Sequence, residues 1–312
     1  MNLSEVHNKK ILISCLNWGM GHVSRSIGLI QKLENQGNEC IVAGNGDQLE
    51  VFKTYFPRIE TILHSDYPFN FSNTLTFSSA LWKQKTKLLS FIRKEKEDVL
   101  NFIKKYKIDL VISDHRYGFR TDACTSIFLT HQFNLPLKGL SKLFDLFHKR
   151  WINKFDIIWL ADDPNKKLAG KLSESNGSKK IYYIGILSRF ENQPQINLVK
   201  KKYALLLLSG PGVHHDFLLQ SFLTQCPEKQ AKIVIGNPEA IEAIQFTNDN
   251  IVFIATKDWL VIDKYLAEAQ DVFSFFGYST LMDFNYIQCN RHLFPCPNQW
   301  EQSYLNELHG NN

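Results

Sequence analysis

The chain is 312 residues long, 44% hydrophobic and 21% charged, with a formal net charge of +5. That length gives room for two domains of about 150 residues with a core each, and the balance is that of a globular chain, excluding a disordered or collagen-like one. The basic residues are scattered, so no nucleic-acid partner is expected, and no apolar run approaches the roughly 18 residues a membrane span needs.

Residues Met1 to Lys10 are polar with no apolar stretch, so no secretory leader is expected. The six cysteines, Cys15, Cys40, Cys124, Cys226, Cys289 and Cys296, contain no CxxC pair. They read as reduced structural thiols in a cytoplasmic protein.

The first element is an apolar strand, Ile11 to Cys15. It runs into Asn17-Trp18-Gly19-Met20-Gly21-His22 and then a helical pattern of Val23, Ile27, Leu29, Ile30 and Leu33. A strand turning through glycines into a helix offers backbone N–H groups and a positive helix end to an anion. Strands follow at Glu39–Ala43 and Ile59–Leu63, then a long lysine-rich helical tract from Ser79 to Tyr106. The next strand, Asp109–Ser113, ends in Asp114-His115-Arg116, and further strands are expected at 127–130, 157–161 and 181–184. Such alternation predicts a parallel sheet covered on both faces.

From Gly185 to Lys202 the text turns polar, with Pro194 and a basic run, and reads as a connection. The alternation then restarts. A strand at 203–209 meets the turn Gly210-Pro211-Gly212 and a helix over 217–223, with strands at 232–235 and 251–254 and a helix over 262–269. A last strand, 271–275, meets Gly277-Tyr278-Ser279-Thr280 and a helix over 281–287. The expected fold is α/β, two Rossmann-like doubly wound domains facing across a cleft. The N-terminal domain is 1–188, the linker 189–202 and the C-terminal domain 203–312.

Three stretches carry the chemistry. In the first, Asn17, Gly19 and Gly21 form an anion-holding loop and His22 stands at its helix junction. A dinucleotide fingerprint would read the same glycines with Asp47 as the ribose acid, although Ser24 fills its third glycine position. A plain turn with a helix-capping His22 fits them as well. In the second, Gly277 permits close approach, Ser279 and Thr280 can hold a phosphate, and Asp283 can accept from ribose hydroxyls. The plainer alternative is an N-cap at Ser279 with Asp283 favouring the helix dipole. In the third, Pro295 and Pro297 fix an extended loop before Gln299, Glu301 and Gln302, where an acid–amide pair can bind adjacent sugar hydroxyls. A capped surface helix would look alike.

In this order, with Arg25-Ser26, Ser113 to Gly118, Gly185 to Arg189 and Ser209 to Gly212, the stretches resemble the GT-B glycosyltransferases. The branch is the one that includes the lipid-linked N-acetylglucosaminyl transferase of peptidoglycan synthesis and its bacterial relatives. The resemblance spans essentially the whole chain. It implies a nucleotide-sugar donor, a UDP-sugar, on the C-terminal domain and an acceptor on the N-terminal one. By position, Gly210, Pro211, Gly212, Gly277, Tyr278, Ser279 and Thr280 would take the diphosphate. Asp283 would take the ribose, the backbone near Ile254 the base, and Gln299, Glu301 and Gln302 the sugar. His22 is the first candidate for general base or for polarising the acceptor hydroxyl, with Asp114 and His115 after it.

Glycine loops and helix ends can stabilise a departing diphosphate without a metal, and no Asp-x-Asp pattern occurs. His214-His215-Asp216 are adjacent and point in different directions, so no metal site and no cofactor are expected. The reaction implied is inverting and metal-independent. Alternatives are an epimerase of the same fold and a nucleotide-sugar-binding protein without catalysis.

Three departures bear on the donor side. Phe275-Phe276 stand where relatives carry a small or basic residue, and Asn298 and Trp300 replace small ones. Relatives also continue past the position of Asn312, which implies a shortened C-terminal domain. The aromatic-basic tract from Phe69 to Lys107 reads as a core face with a solvated lysine side, or as an interfacial helix meeting the inner face of a membrane.

Overall fold

The computed structural model describes residues 1–17, 19–67, 85–135, 142–175, 177–192, 201–244 and 250–310. The chain divides into two compact units, Met1–Leu187 and Ser188–Asn312.

The first unit is built on a wholly parallel seven-stranded sheet. Its strands are β1 (Lys10–Cys15), β2 (Glu39–Gly44), β3 (Glu60–Leu63), β4 (Leu110–Asp114), β5 (Thr125–Thr130), β6 (Ile157–Leu160) and β7 (Ile181–Tyr183). Their order is β3-β2-β1-β4-β5-β6-β7. Helices α1 (Gly21–Asn35), α2 (Gly46–Tyr55), α3 (Lys85–Tyr106) and α4 (Lys142–Ile152) run between them. The central strands are buried on both faces, which is why they read as unbroken apolar runs. Strand order reverses between β1 and β4, where Cys15 pairs with Asp114, and ligands of open α/β sheets bind outside the strand ends at such a point.

On α3, Leu88, Ile92, Glu95 and Val99 are buried at helical spacing, so its core face is real. Phe69, Phe71, Phe77 and Trp82 of the same tract, and Trp18, lie outside the described residues. Among the described residues no helix is long and apolar enough to cross a membrane.

The second unit carries β8 (Lys201–Leu208), β9 (Ala231–Gly236), β10 (Ile251–Ala255), β11 (Ala269–Phe275) and β12 (Asn290–Phe294), parallel, in the order β10-β9-β8-β11-β12. Its helices are α5 (His215–Gln225), α6 (Pro238–Glu242), α7 (Trp259–Glu268), α8 (Tyr278–Asp283) and α9 (Trp300–His309). Period-two alternation splits the core. Leu206, Leu208, Phe273 and Phe275 pack with Leu218 and Phe222 on one face. Leu205 and Val272 pack with Leu266, Phe284 and Ile287 on the other.

Two features differ from expectation. Strand β12 is not among the expected strands, because Asn290-Arg291-His292 is polar; it joins the sheet through Asp271↔Asn290 to Phe275↔Phe294. Residues at the start of the expected linker belong to the second unit, with Phe190 wholly buried beside Tyr203 and Leu205. Residues 193–200 of that linker lie outside the described residues.

Candidate active site and donor site

In the first unit the backbone after β1 is tied to β4 by Leu16 N–H donating to the Asp114 carbonyl at 2.9 Å. Gly19 takes φ +80°, a conformation glycine adopts without strain, and α1 opens with no side-chain cap on its N-terminus. Gly19 and Gly21 are exposed, and Asn17 Oδ1 is buried with no hydrogen-bond partner. Asp47, needed by a dinucleotide reading, sits exposed in the first turn of α2.

The structure brings His22, Asp114 and His115 together. Nδ1 of His22 is 3.1 Å from Oδ1 of Asp114, and the His22 and His115 rings meet edge to face at 5.2 Å. Asp114 is fully buried and gripped by Arg25, whose Nε donates to Oδ2 at 2.7 Å and whose Nη2 donates to Oδ1. Burial alone would raise the carboxyl pKa; the charge of Arg25 and the neighbouring His22 outweigh it and bring it down to about 2. Held that low, Asp114 stands as a carboxylate between Arg25 and His22.

His115 takes φ +61° and its Nε2 lies 2.6 Å from the Thr130 hydroxyl at the end of β5. Burial, then His22, Arg25, His131 and His148, push it well below the ordinary histidine value, so it stays neutral. His22 is lowered by burial and by Arg25, with Asp114 opposing in part.

A wider set completes the cluster. Arg25 Nη1 lies 2.8 Å from Nδ1 of His131. Gln132 Nε2 lies 3.2 Å from Nε2 of His131, and the Gln132 carbonyl accepts from Nε2 of His148 at 2.9 Å. The Tyr117 hydroxyl, 2.8 Å from Nδ1 of His148, closes the chain. Sequence reasoning missed His131 and His148. His131 follows its strand directly, the same signal that singled out His115.

In the second unit the two glycine turns follow β8 and β11, neighbours at the reversal of strand order. Gly210 takes φ +77°, and a Cβ there would stand 3.4 Å from the Phe275 ring, so the turns lie side by side. Ser209, Gly210, Pro211 and Gly212 are exposed, and Gly277, Ser279 and Thr280 half-buried. Helix α8, which the second turn opens, and α5, which follows the first through a 3-10 turn at Gly212–His214, have no side-chain N-cap; α2, α6 and α7 are capped by Asn45, Asn237 and Asp258. The helix starts at the strand-order reversals thus carry no side-chain acceptor of their own.

Several residues expected on the donor side have partners within their own unit. Asp283, expected at the ribose, is 6% exposed, accepts from the Ser188 hydroxyl at 2.7 Å and pairs with Arg189. Arg189 also donates to Asp263 at 2.7 Å, so Asp283 belongs to a clamp that fastens residues 188–190 to α7 and α8. Gln302 spends its amide locally, accepting from Cys296 N–H at 2.8 Å and donating to Gln299 Oε1 at 2.9 Å. Both glutamines brace the proline loop, where Asn298 takes φ +63°, and leave Glu301 as the half-buried acid of the first turn of α9. Ile254 packs its side chain on the core, and Tyr278, Phe275 and Phe276 are each 3% exposed, turned inward.

No family model matches the chain, and no curated protein matches it. Solved structures do. The glycosyltransferase of kitacinnamycin is similar at 13% identity with a TM-score of 0.65, over 97% of this chain and 84% of that one. The spinosyn rhamnosyltransferase SpnG, complexed with thymidine diphosphate, is similar at 13% identity and a TM-score of 0.64, over 96% and 85%. MurG of Acinetobacter baumannii gives 14% identity and a TM-score of 0.53, over 97% and 84%. The fold is that of the GT-B glycosyltransferases.

Proposed function

We propose that this GT-B chain is an inverting, metal-independent glycosyltransferase that moves a sugar from a UDP-sugar to an acceptor hydroxyl. One observation carries the reading: the exposed glycine turn after β8 and the half-buried one after β11 lie side by side, and the helices that follow them have no side-chain caps. A diphosphate is the ligand whose charge suits backbone N–H groups and helix ends so arranged, and stabilising it as it departs is the task glycosyl transfer sets. The second unit then holds the donor and the first unit the acceptor. His22, with Asp114 against its Nδ1, serves the acceptor hydroxyl at Nε2.

The test is calorimetric titration with UDP, TDP, GDP and NAD in EDTA. Saturable binding of UDP is the expected result; tighter TDP binding would reassign the base, and silence from all four would overturn the donor site. A second reading, nucleotide-sugar binding without transfer, draws on the commitment of Asp283 and Gln302 to their own unit. His22→Ala separates the two. Under the first reading it keeps UDP binding and loses about 100-fold or more in transfer rate; under the second there is no transfer to lose.

A further inference from the structure

Arg25 makes more contacts than its pairing with Asp114 requires. Besides both Asp114 oxygens, its Nη2 lies 2.6 Å from Nδ1 of His22 and its Nη1 2.8 Å from Nδ1 of His131. A guanidinium only donates, so Nδ1 of His22 meets it as an acceptor. Asp114 Oδ1, 3.1 Å from the same nitrogen, could hold an Nδ1–H instead, and one nitrogen cannot do both. Oδ1 and Nδ1 both lie within reach of Nη2, and of the two contacts to Nδ1 the one from Arg25 is the shorter.

We infer that Arg25 is a positioning residue that holds His22 in the Nε2–H tautomer, so that the resting imidazole presents a hydrogen-bond donor and not a base. The consequence rests on the reading of His22 as the group serving the acceptor. To take a proton at Nε2, the imidazole first loses its Nε2 proton to solvent and gains one at Nδ1, facing Asp114. Nη2 of Arg25 stands where that proton goes, so transfer waits on its displacement. The other titratable groups facing His22 are His115, edge-on at the end of β4, and His131 after β5. Neither supplies a carboxylate that would draw a proton to Nδ1.

The experiment is nitrogen-15 spectroscopy of the imidazoles in the whole chain, with His22→Gln identifying one resonance pair among ten histidines. Near neutral pH, Nδ1 of His22 is expected as the unprotonated nitrogen and Nε2 as the protonated one. In Arg25→Met, Nδ1 gains the proton against Asp114 and the titration moves to higher pH, since a repelling cation is gone. Because Arg25→Met leaves Asp114 buried without its partner, Arg25→Lys is the companion. It keeps the charge, loses the planar fork, and shifts the tautomer the same way. A protonated Nδ1 in the unaltered chain, or an unchanged tautomer in whichever variants fold, overturns the inference. The spectra need no donor or acceptor, so their failure and a failure of nucleotide binding are separate results.

Discussion

Four histidines of the first unit, His22, His64, His115 and His148, are held below the ordinary value and weaken the fold in acid, and two of them can be given a window. Burial, joined for His64 by the Arg116 charge, lowers both His64 and His148 from 6.5 to about 4. Their folded values are depressed, so between 6.5 and about 4 the unfolded chain binds protons the folded one refuses, and stability falls as pH falls through that window. Asp114 titrates near 2 and takes no part in it. His64 and His148 each account for about 2 kcal/mol between pH 6.5 and 5 at most. His148→Gln is therefore expected to flatten the loss by up to that amount in urea unfolding at the two pH values, and an unchanged slope refutes the assignment. The same residues mark the limit of legibility. Asp114 and His115 stand out in the sequence because an apolar run ends there, and His22 because it stands where a glycine turn meets a helix. Arg25 gives no such signal as the cation of Asp114, because 89 residues separate them in the chain. Asp283 reads as a ribose ligand because Ser188 and Arg189, its true partners, look like the polar start of a linker.

Among the elements, glycines separate packing from binding. A Cβ on Gly118, after β4, would stand 2.5 Å from the Ile92 carbonyl oxygen and 2.6 Å from Glu95 Oε2 on α3. Backbone cannot retreat cheaply, so Gly118→Ala is expected to cost about 1–3 kcal/mol by chemical denaturation. A Cβ on Gly212 would meet nothing within 4 Å, and that backbone carries no strained φ, so Gly212→Ala should leave stability within about 0.5 kcal/mol. If its turn takes the diphosphate, the added methyl obstructs the approach and UDP affinity drops about tenfold. Unaltered affinity would remove that turn from the donor site. Strands β1, β2, β4 and β8 are legible because burial on both faces gives each an unbroken run of three or more Ile, Val, Leu or Ala residues. Strand β12 is not, since Asn290 and His292 spend their side chains on Asp271, and that pairing is visible only once β11 and β12 are adjacent.

At the scale of the whole molecule, two sheets with separate cores divide the candidate residues between them. All the histidines around Asp114 belong to the first unit, and both glycine turns after β8 and β11 to the second. A ligand that binds one folded unit stabilises that unit by mass action, by about 2.7 kcal/mol at a hundredfold excess over Kd. Hydrogen exchange with saturating UDP should therefore slow the amides of β8, β9 and β11 and the first turns of α5 and α8, with little change in β1 to β7. Acidification from pH 6.5 to 5 should act on the other side, loosening chiefly the first unit, where His64 and His148 are buried. In the second unit His215 is also lowered by burial, but it sits at the start of α5, so its protonation is felt there and not across the sheet. The two perturbations should cross, because the proposed donor site acts through backbone N–H groups at glycine turns and acid through imidazoles held neutral by burial. Equal protection of both sheets by UDP would defeat the assignment of the donor to the second unit, whatever the affinity measured.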